Sequence, residues 1–325
     1  MSRARPWLLP FVPLYRLGLA LDASRAGERR RLKWPVMSVG NLSTGGAGKT
    51  PLAIALAKAL TARGLHVDVL SRGYGRTSTL PARVDPTRNA DEFGDEPLVI
   101  ARETGVPVYV AAERYEAGLM AEAALPASTT QALHLLDDGF QHRRLARDVN
   151  ILLMNRSDWN DGLLPAGNLR EPLTAAHRAT VIAIPADDPA LASDLKAWGW
   201  HGPIWHLHRH MKVPQINGPV AAFCGIARPQ QFFDGLEAAG LHVASRTSFP
   251  DHHRYVQHDL DCLLDAAHTV KAAALITTEK DLARLGILAA KFPESIPLRV
   301  ADLVVEIEDE STAVDWLIAQ CFPTP

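Results

Sequence analysis

The apolar residues of this chain form two alternating patterns, short continuous runs and longer segments with helical spacing. The first run, residues 35–40, ends in glycine, and the segment 51–63 then places Leu52, Leu56 and Leu60 on one helix face. Further elements predicted on these grounds are strands at 66–70, 107–111, 133–136, 149–154 and 180–184, and helices at 95–103 and 113–125. Strands without polar alternation are typical of a parallel sheet covered by helices on both faces.

The pattern changes around residues 198–219, where Trp, His, Gly and Pro are concentrated and residues 205–211 alternate like an exposed ribbon. A second series follows, with strands at 220–224, 243–245, 272–277 and 303–307, and helices at 229–239, 260–269 and 312–321. The sequence therefore predicts an α/β protein of two domains, residues 1–205 and residues 206–325, with the boundary near residue 205.

The most apolar stretch, residues 7–21, is too short for a membrane-spanning helix, and two prolines and an arginine interrupt it. Leu14, Leu17 and Leu21 share one face at helical spacing. A basic run follows, made of Arg25, Arg29, Arg30, Arg31 and Lys33. An apolar face beside a basic cluster fits a helix that lies in the membrane interface. A helix packed on its own domain is the alternative.

Composition narrows the functional classes. With 47% hydrophobic and 22% charged residues in 325, the chain has ordinary globular composition, which excludes a disordered or coiled-coil protein. A formal net charge of -2 gives no global positive field for nucleic acid, so no nucleic-acid partner is expected. The three cysteines are scattered and form no CxxC, which argues against a disulfide framework and against a cysteine zinc site.

A phosphate-binding loop is predicted where the first strand meets the first helix. Backbone N–H groups would converge there on an anion, Lys49 would reach the β- and γ-phosphates, and the Thr50 hydroxyl would ligate Mg²⁺. The strict pattern G-x-x-x-x-G-K-[ST] fails only at Ser43, which stands where the first glycine belongs. The predicted nucleotide-binding residues are Ser43, Thr44, Gly45, Gly46, Ala47, Gly48, Lys49 and Thr50, and the predicted cofactors are ATP and Mg²⁺.

An acidic pair ends a neighbouring apolar strand, as a metal site beside such a loop requires. Asp137 and Asp138 follow the run 133–136 directly. Adjacent strand residues point to opposite faces, so one carboxylate is expected to face Mg²⁺ and the other to serve a different role. A paired cap on the following turn is the alternative.

Two P-loop classes fit less well. ATPases of the partitioning and metal-chaperone type carry an extra lysine where Thr44 stands, and residues 274–281 lack the asparagine and spacing of a GTPase base-specificity motif. Several further motifs belong to neither class: SRGYGR at 71–76, GDEP at 94–97, DDGFQHR at 137–143, LREP at 169–172 and FPDHH at 249–253.

Together with the phosphate loop, this ordered set of motifs resembles the tetraacyldisaccharide 4′-kinases over about the whole chain. The resemblance implies a P-loop NTPase-like, mostly parallel sheet and a smaller α/β domain, joined by a β-ribbon. It implies Mg·ATP-dependent transfer of the γ-phosphoryl group to the 4′-hydroxyl of a tetraacyl glucosamine disaccharide 1-phosphate, which gives the lipid A precursor lipid IVA. It also implies a peripheral position at the cytoplasmic face of the bacterial inner membrane.

The resemblance also implies roles for single residues. Asp95 matches the catalytic aspartate of the family, and His252 matches the partner histidine that would orient this carboxylate or relay its proton. Lys49 is the third predicted catalytic residue. The predicted magnesium ligands are Thr50, one or both of Asp137 and Asp138, and Glu171. The predicted substrate contacts are Arg72, Tyr74, Arg76, Gln141 and Arg170, of which Gln141 and Arg170 could instead contact the nucleotide phosphates. A P-loop ATPase that acts as a nucleotide switch on a protein partner is the alternative function.

Overall fold

Mostly parallel strands form the centre of the molecule in a computed structural model that describes residues 5–25, 27–45 and 48–323. The strands are β1 (Val36–Asn41), β2 (His66–Ser71), β3 (Ala82–Arg83), β4 (Val108–Val110), β5 (Ala132–Asp137), β6 (Val149–Leu153), β7 (Val181–Pro185), β8 (Ile204–Lys212), β9 (Val220–Cys224), β10 (Val243–Ser248), β11 (Ala274–Thr278) and β12 (Leu298–Ile307).

Helices flank these strands. The α-helices are α1 (Val12–Arg25), α2 (Lys49–Ala62), α3 (Ala90–Phe93), α4 (Asp95–Thr104), α5 (Arg114–Ala124), α6 (Arg156–Trp159), α7 (Pro189–Ala197), α8 (Pro229–Ala238), α9 (Gln257–Thr269), α10 (Glu279–Leu285) and α11 (Glu310–Cys321). Short 3₁₀ helices span Pro6–Phe11, Leu173–Arg178 and Gly286–Lys291.

The strands of the described chain form one continuous 12-stranded sheet in the order β10-β9-β11-β12-β8-β7-β6-β1-β5-β2-β4-β3. Neighbouring strands in it pair in parallel, except for β8 with β12 and β3 with β4, which are antiparallel. Every residue of β1 and β5 is buried, because helices cover both faces of these strands. The predicted fold class, a mostly parallel α/β sheet, is confirmed.

The antiparallel ribbon of β8 and β12 divides the sheet into two parts. Beyond it lie β9, β10 and β11 with α8, α9 and α10, which we call the small lobe (residues 213–297); the rest of the described chain is the large lobe. The chain enters the small lobe from β8 and returns through β12, so α11 packs on the large lobe. Val314 and Leu317 of α11 share a buried cluster with Leu56 of α2. The predicted boundary between residues 205 and 206 falls within β8, and the division into two domains stays a prediction.

Most predicted elements are present with changed limits. β12 begins at Leu298, five residues before the predicted start, because its first half pairs in parallel with β11 and only its second half joins the ribbon. The long polar segment 71–90, predicted as a loop, contains the two-residue β3 at the sheet edge. The short helix α10 was not predicted; it follows β11 directly, and the Thr278 side chain caps it by accepting from the backbone N–H of Asp281.

The N-terminal segment packs on the large lobe with only part of its surface. Val12 and Tyr15 contact a buried cluster, and the Tyr15 hydroxyl donates a 2.9 Å hydrogen bond to the carbonyl oxygen of Arg170. The large side chains left exposed are Trp7, Leu9, Phe11, Leu14, Leu17 and Leu21. Within the described residues, no helix has the length and apolar character needed to cross a membrane.

Candidate active site

The phosphate loop joins the buried strand β1 to the start of α2. Gly45 and Gly48 have φ angles of +100° and +86°, which side chains rarely adopt, and α2 begins at Lys49. The Thr44 N–H donates to the carbonyl oxygen of Asn168 at 2.8 Å, which ties the loop to the segment before Arg170. Gly46 and Ala47, both predicted to bind nucleotide, lie outside the described residues. The described part has the strand–loop–helix form that the motif predicted.

Ser43 has a structural explanation for standing in place of glycine. Its buried hydroxyl accepts a 3.1 Å hydrogen bond from Asn41 Nδ2 and donates to the carboxylate of Asp158. Ser43 also forms an isolated bridge with Leu169. The Ser43 side chain therefore fixes the first turn of the loop through its contacts with Asn41 and Asp158.

Lys49 and Asp138 lie together beneath the loop. Lys49 Nζ is 3.1 Å from Asn41 Oδ1 and 3.6 Å from Asp138 Oδ1. Arg170 donates to both carboxylate oxygens of Asp138, at 3.1 and 2.9 Å. Burial acts to raise the pKa of Asp138, but Lys49, Arg170 and Arg114 outweigh it and lower that pKa to about 2. Asp138 is therefore ionised and held by cations.

Asp137 has the opposite environment. It is buried, and neither carboxylate oxygen has a hydrogen-bond partner among the described residues. Burial, together with the nearby acids Glu96 and Asp138, raises the pKa of Asp137 to about 7. A carboxylate left without a donor in a buried site fits a hard cation such as Mg²⁺, and Thr50, buried in the first turn of α2, offers a second oxygen.

Glu171 is held away from such a role. Arg143 and Arg178 each donate to it at 2.6 Å, one to each oxygen, and they lower its pKa against the effect of burial. Within the described parts of the chain, no three or more His, Cys, Asp or Glu side chains form a group that could hold a metal ion. Among the described residues, Asp137, Asp138 and Glu171 thus do not form the predicted acidic trio, and both oxygens of Glu171 are paired with arginines instead.

The structure brings Asp95 and His252 together across the two lobes. His252 Nδ1 lies 3.2 Å from Asp95 Oδ2, although the residues are 157 positions apart in the sequence. Asp95 is buried at the start of α4, and the half-buried His252 has a φ of +58°, an unusual value for a residue with a side chain. His253 instead contacts Asp259 at 2.9 Å and stacks on Phe249. Of the two adjacent histidines, His252 is therefore the one beside Asp95.

Asp95 has a second strong partner, Arg284 of α10, which the sequence analysis did not single out. Arg284 donates to Asp95 Oδ2 from Nε at 2.7 Å and also from a terminal nitrogen. Burial would raise the pKa of Asp95, but the hydrogen bond from His252 and the charges of Arg284 and Lys280 hold it well below its usual range. The same contact with Asp95 raises the pKa of His252.

One cavity of about 1530 Å³ connects the phosphate loop with His252. Predicted site residues that line it are Ser43, Thr44, Gly45, Gly48, Lys49, Thr50, Arg72, Tyr74, Asp137, Asp138, Gln141, Arg170 and His252. Asp95 lies behind His252 rather than on the wall. Arg76 is not on the wall either, because its guanidinium folds back to donate to the carbonyl oxygens of Thr79 and Leu80.

Several basic residues of the wall were not predicted from the sequence, among them Arg114 and His142. Arg114 Nε and His142 Nε2 are buried without a hydrogen-bond partner in the described structure. Burial and neighbouring arginines lower the pKa of Arg114 to about 10 and that of His142 to about 4. A crowded arginine with an unpaired donor favours an anion, and the neutral imidazole of His142 offers a second polar nitrogen beside it. His142 lies in the DDGFQHR motif at residues 137–143, whereas none of the motifs found in the sequence includes Arg114.

Two further arginines reach the phosphate loop from later parts of the chain. A Cβ added at Gly48 would lie 3.5 Å from Cζ of Arg209 in β8, and one added at Gly45 would lie 4.0 Å from Nε of Arg228 at the start of α8. Burial and the charge of Arg228 lower the pKa of Arg209. The loop is therefore faced by positive charge from the ribbon and from the small lobe.

Comparisons with known proteins point to one family. A family model described as Tetraacyldisaccharide-1-P 4'-kinase, LpxK, matches residues 4–321. A protein named tetraacyldisaccharide 4'-kinase from Koribacter versatilis is 41% identical over 302 residues, 90% of this chain and 90% of that protein. One of the same name from Polaromonas naphthalenivorans is 38% identical over 332 residues, 97% of this chain and 93% of that protein.

A solved structure shows the same fold. A crystal structure of LpxK from Aquifex aeolicus in complex with ATP matches with a TM-score of 0.75 and 29% identity, over 98% of this chain and 99% of that chain. This match confirms the predicted P-loop NTPase-like fold. With a family model and relatives of this identity that cover nearly the whole sequence, the chain belongs to the tetraacyldisaccharide-1-P 4'-kinase family.

Proposed function

We propose that this protein transfers the γ-phosphoryl group of ATP to the 4′-hydroxyl of a tetraacyl glucosamine disaccharide 1-phosphate. The proposal rests on one observation: Lys49 and Thr50 of the phosphate loop line the same cavity as His252. A phosphoryl donor and a hydroxyl acceptor can meet in such a cavity in line, which is what phosphoryl transfer requires of an enzyme.

His252 would accept the hydroxyl proton. When the neutral imidazole donates from Nδ1 to the ionised Asp95, its Nε2 carries the free lone pair. Asp95, with a lowered pKa and no place on the cavity wall, orients the ring and stabilises the imidazolium that forms. The sequence prediction gave the catalytic role at the hydroxyl to Asp95 and the supporting role to His252. In this proposal the two roles are exchanged.

On the donor side, Lys49 would leave Asn41 and Asp138 to stabilise the negative charge of the transferred group. Asp137 and Thr50 would hold Mg²⁺, whose chemistry when bound is to neutralise charge on the nucleotide phosphates. Asp138 keeps its place through Arg170.

On the acceptor side, Arg114 and His142 are suited to an anionic group of the disaccharide, and the exposed Arg72 and Tyr74 lie on the same wall. The Tyr74 ring is 5.1 Å from the imidazole of His252, so a substrate held by Tyr74 would be close to the base.

The N-terminal segment would dock the enzyme on the membrane that contains an acylated substrate. Its exposed apolar side chains, of which Trp7 is 74% exposed, suit burial at the headgroup boundary. We place the protein as a peripheral enzyme at the cytoplasmic face of the bacterial inner membrane, where ATP is supplied and where no nucleic-acid partner is needed.

The test is transfer of γ-labelled phosphate from ATP to the acylated disaccharide 1-phosphate in detergent micelles, with and without Mg²⁺. We expect label on the lipid only when Mg²⁺ is present. Release of free phosphate without labelled lipid would favour the alternative, a P-loop ATPase that acts on a protein partner.

A further inference from the structure

We propose that Arg284 is a positioning residue of the His252 base: it fixes Asp95 against the imidazole and offsets the negative charge around the ring. This inference rests on the proposed phosphoryl transfer. Arg284 does not line the cavity, so it acts through Asp95 and His252 and not on the substrate.

The contacts of Arg284 converge on the oxygen that His252 uses. Asp95 Oδ2 accepts from Arg284 through two nitrogens and lies 3.2 Å from His252 Nδ1. The other oxygen, Oδ1, accepts from the backbone N–H of Glu96 at 2.9 Å. Both oxygens are therefore committed: the fork of the guanidinium holds Oδ2 through two nitrogens, and the backbone of α4 holds Oδ1, so the carboxylate is fixed in orientation.

Arg284 also holds the backbone that carries His252. Its third nitrogen, Nη1, donates to the carbonyl oxygen of Gly225 and lies 3.1 Å from Asp281 Oδ1. The same Gly225 carbonyl accepts the backbone N–H of His252 at 3.1 Å. Asp281 is fully buried and fixed by the Gly225 N–H and the Tyr255 hydroxyl. One side chain thus joins Asp95 in the large lobe to the loop of His252 in the small lobe.

The charges around the imidazole explain why a cation is needed there. From its own loop the ring faces Asp251 at 3.9 Å, and from α4 it faces Asp95. From α10 it faces Arg284, with one nitrogen 3.5 Å from Nδ1. Lys280 of α10, paired with Glu96, adds positive charge near Asp95, and the Tyr74 ring lies tilted against the imidazole at an interplanar angle of 54°.

Two carboxylates alone would make His252 too basic for its role. An imidazole that is protonated at neutral pH has no lone pair for the hydroxyl proton, so the best base has a pKa near the working pH. Asp95 raises the pKa of His252, and Arg284 opposes that rise. The cation therefore keeps a larger share of the histidine neutral while the fork keeps it oriented.

The decisive experiment is the pH dependence of kcat for Arg284→Met and Asp95→Asn, with labelled transfer as the assay. Removing the cation should move the acidic limb of kcat to higher pH by about one unit, and removing the anion should move it to lower pH. A merely structural role for Arg284 predicts a lower kcat with the limb unmoved, which would overturn the proposal.

Arg284→Lys separates charge from geometry. It keeps the cation but loses the fork, so the limb should stay near the wild-type position while kcat falls by at least about tenfold. This variant also decides the question if Arg284→Met does not fold, since a limb that moves upward in Arg284→Lys contradicts the role of the charge. Arg246→Met, an exposed arginine of the small lobe paired with Glu237, is the matched control and should change neither quantity.

A second measurement does not depend on turnover. NMR titration of the His252 imidazole in the full chain without substrates should give a higher pKa in Arg284→Met than in the wild type. If the wild type transferred no label to the lipid, the proposed function would fail while this titration still tested the contact. Equal titration curves in the two proteins would refute the inference itself.

Discussion

At the scale of single residues, environment gives two neighbouring carboxylates different chemistry. Asp138 is ionised and held by Lys49 and Arg170, whereas Asp137 is buried without a donor among the described residues. The sequence predicted that the two would differ, because adjacent strand residues face opposite sides. It could not predict Arg284, whose partner Asp95 lies 189 positions away, since no local pattern records a contact of that separation.

The phosphate-loop lysine gives the most direct test of the donor side. Lys49→Ala should lower kcat by at least about 10²-fold, because it removes a charge that stabilises the phosphates in the transition state. The fold should remain, since Asp138 keeps Arg170 as partner. Labelled transfer and thermal unfolding are the measurements, with the exposed Lys196→Ala on α7 as control. Near-normal turnover would contradict the role of Lys49.

A buried histidine outside the site should make stability depend on pH. His134 of β5 lies between Asp68, at 2.8 Å, and Glu122, at 3.4 Å. Burial would lower the pKa of His134, but the two acids outweigh it and raise the pKa above the ordinary 6.5. The stabilisation is therefore complete below about pH 6.5 and is lost as the pH rises through the folded-state pKa.

Urea unfolding between about pH 6 and 9 tests this. His134→Gln should have a lower free energy of unfolding than the wild type at pH 6, and the difference should shrink as the pH rises. The exposed His201→Gln is the control and should follow the wild type. A difference that stays constant with pH would show that His134 contributes through packing alone.

At the scale of elements, the spacing of hydrophobic residues predicted helix faces that are buried by packing. Leu52, Leu56 and Leu60 are buried on the predicted face of α2. The spacing failed where one strand changes partner, as β12 does between β11 and β8, because pairing with a distant strand leaves no local signal. It also failed for α10, whose seven residues are too few to show a helical period.

The exposed face of α1 carries the membrane prediction. The double variant Leu14→Asn with Leu17→Asn should bind anionic lipid vesicles at least about tenfold more weakly, because it removes two apolar side chains from the interface. The KM for the acylated disaccharide should rise more than the KM for ATP. Vesicle sedimentation and steady-state kinetics measure the two effects.

A matched control exists elsewhere on the surface. Ile287, 87% exposed in the small lobe, offers an equally accessible apolar side chain outside α1. Ile287→Asn should leave vesicle binding unchanged. Equal losses for both variants would mean that vesicle binding reflects general surface hydrophobicity and not a docking face on α1.

At the scale of the whole molecule, the phosphate loop is completed by residues from the ribbon and the small lobe. Arg209→Ala should raise the KM for ATP by about tenfold with a smaller change in kcat, because this cation faces the loop and not the reacting hydroxyl. Arg299→Ala, an exposed arginine in the first half of β12, where that strand pairs with β11, serves as control. A fall in kcat without a change in KM would show that Arg209 acts on the transition state instead.

The path of the chain through the ribbon also bears on the order in which the two cores can fold. The two buried clusters of the small lobe lie almost wholly between residues 220 and 301, a continuous piece of sequence. The main cluster of the large lobe needs Val305, Ile307 and Leu317 beside residues that are synthesised far earlier, such as Met37. The small lobe can therefore close its core from its own segment of chain, whereas the main cluster of the large lobe is complete only when α11 has packed against α2. The phosphate loop leads into α2, so its final arrangement should depend on a helix at the far end of the sequence.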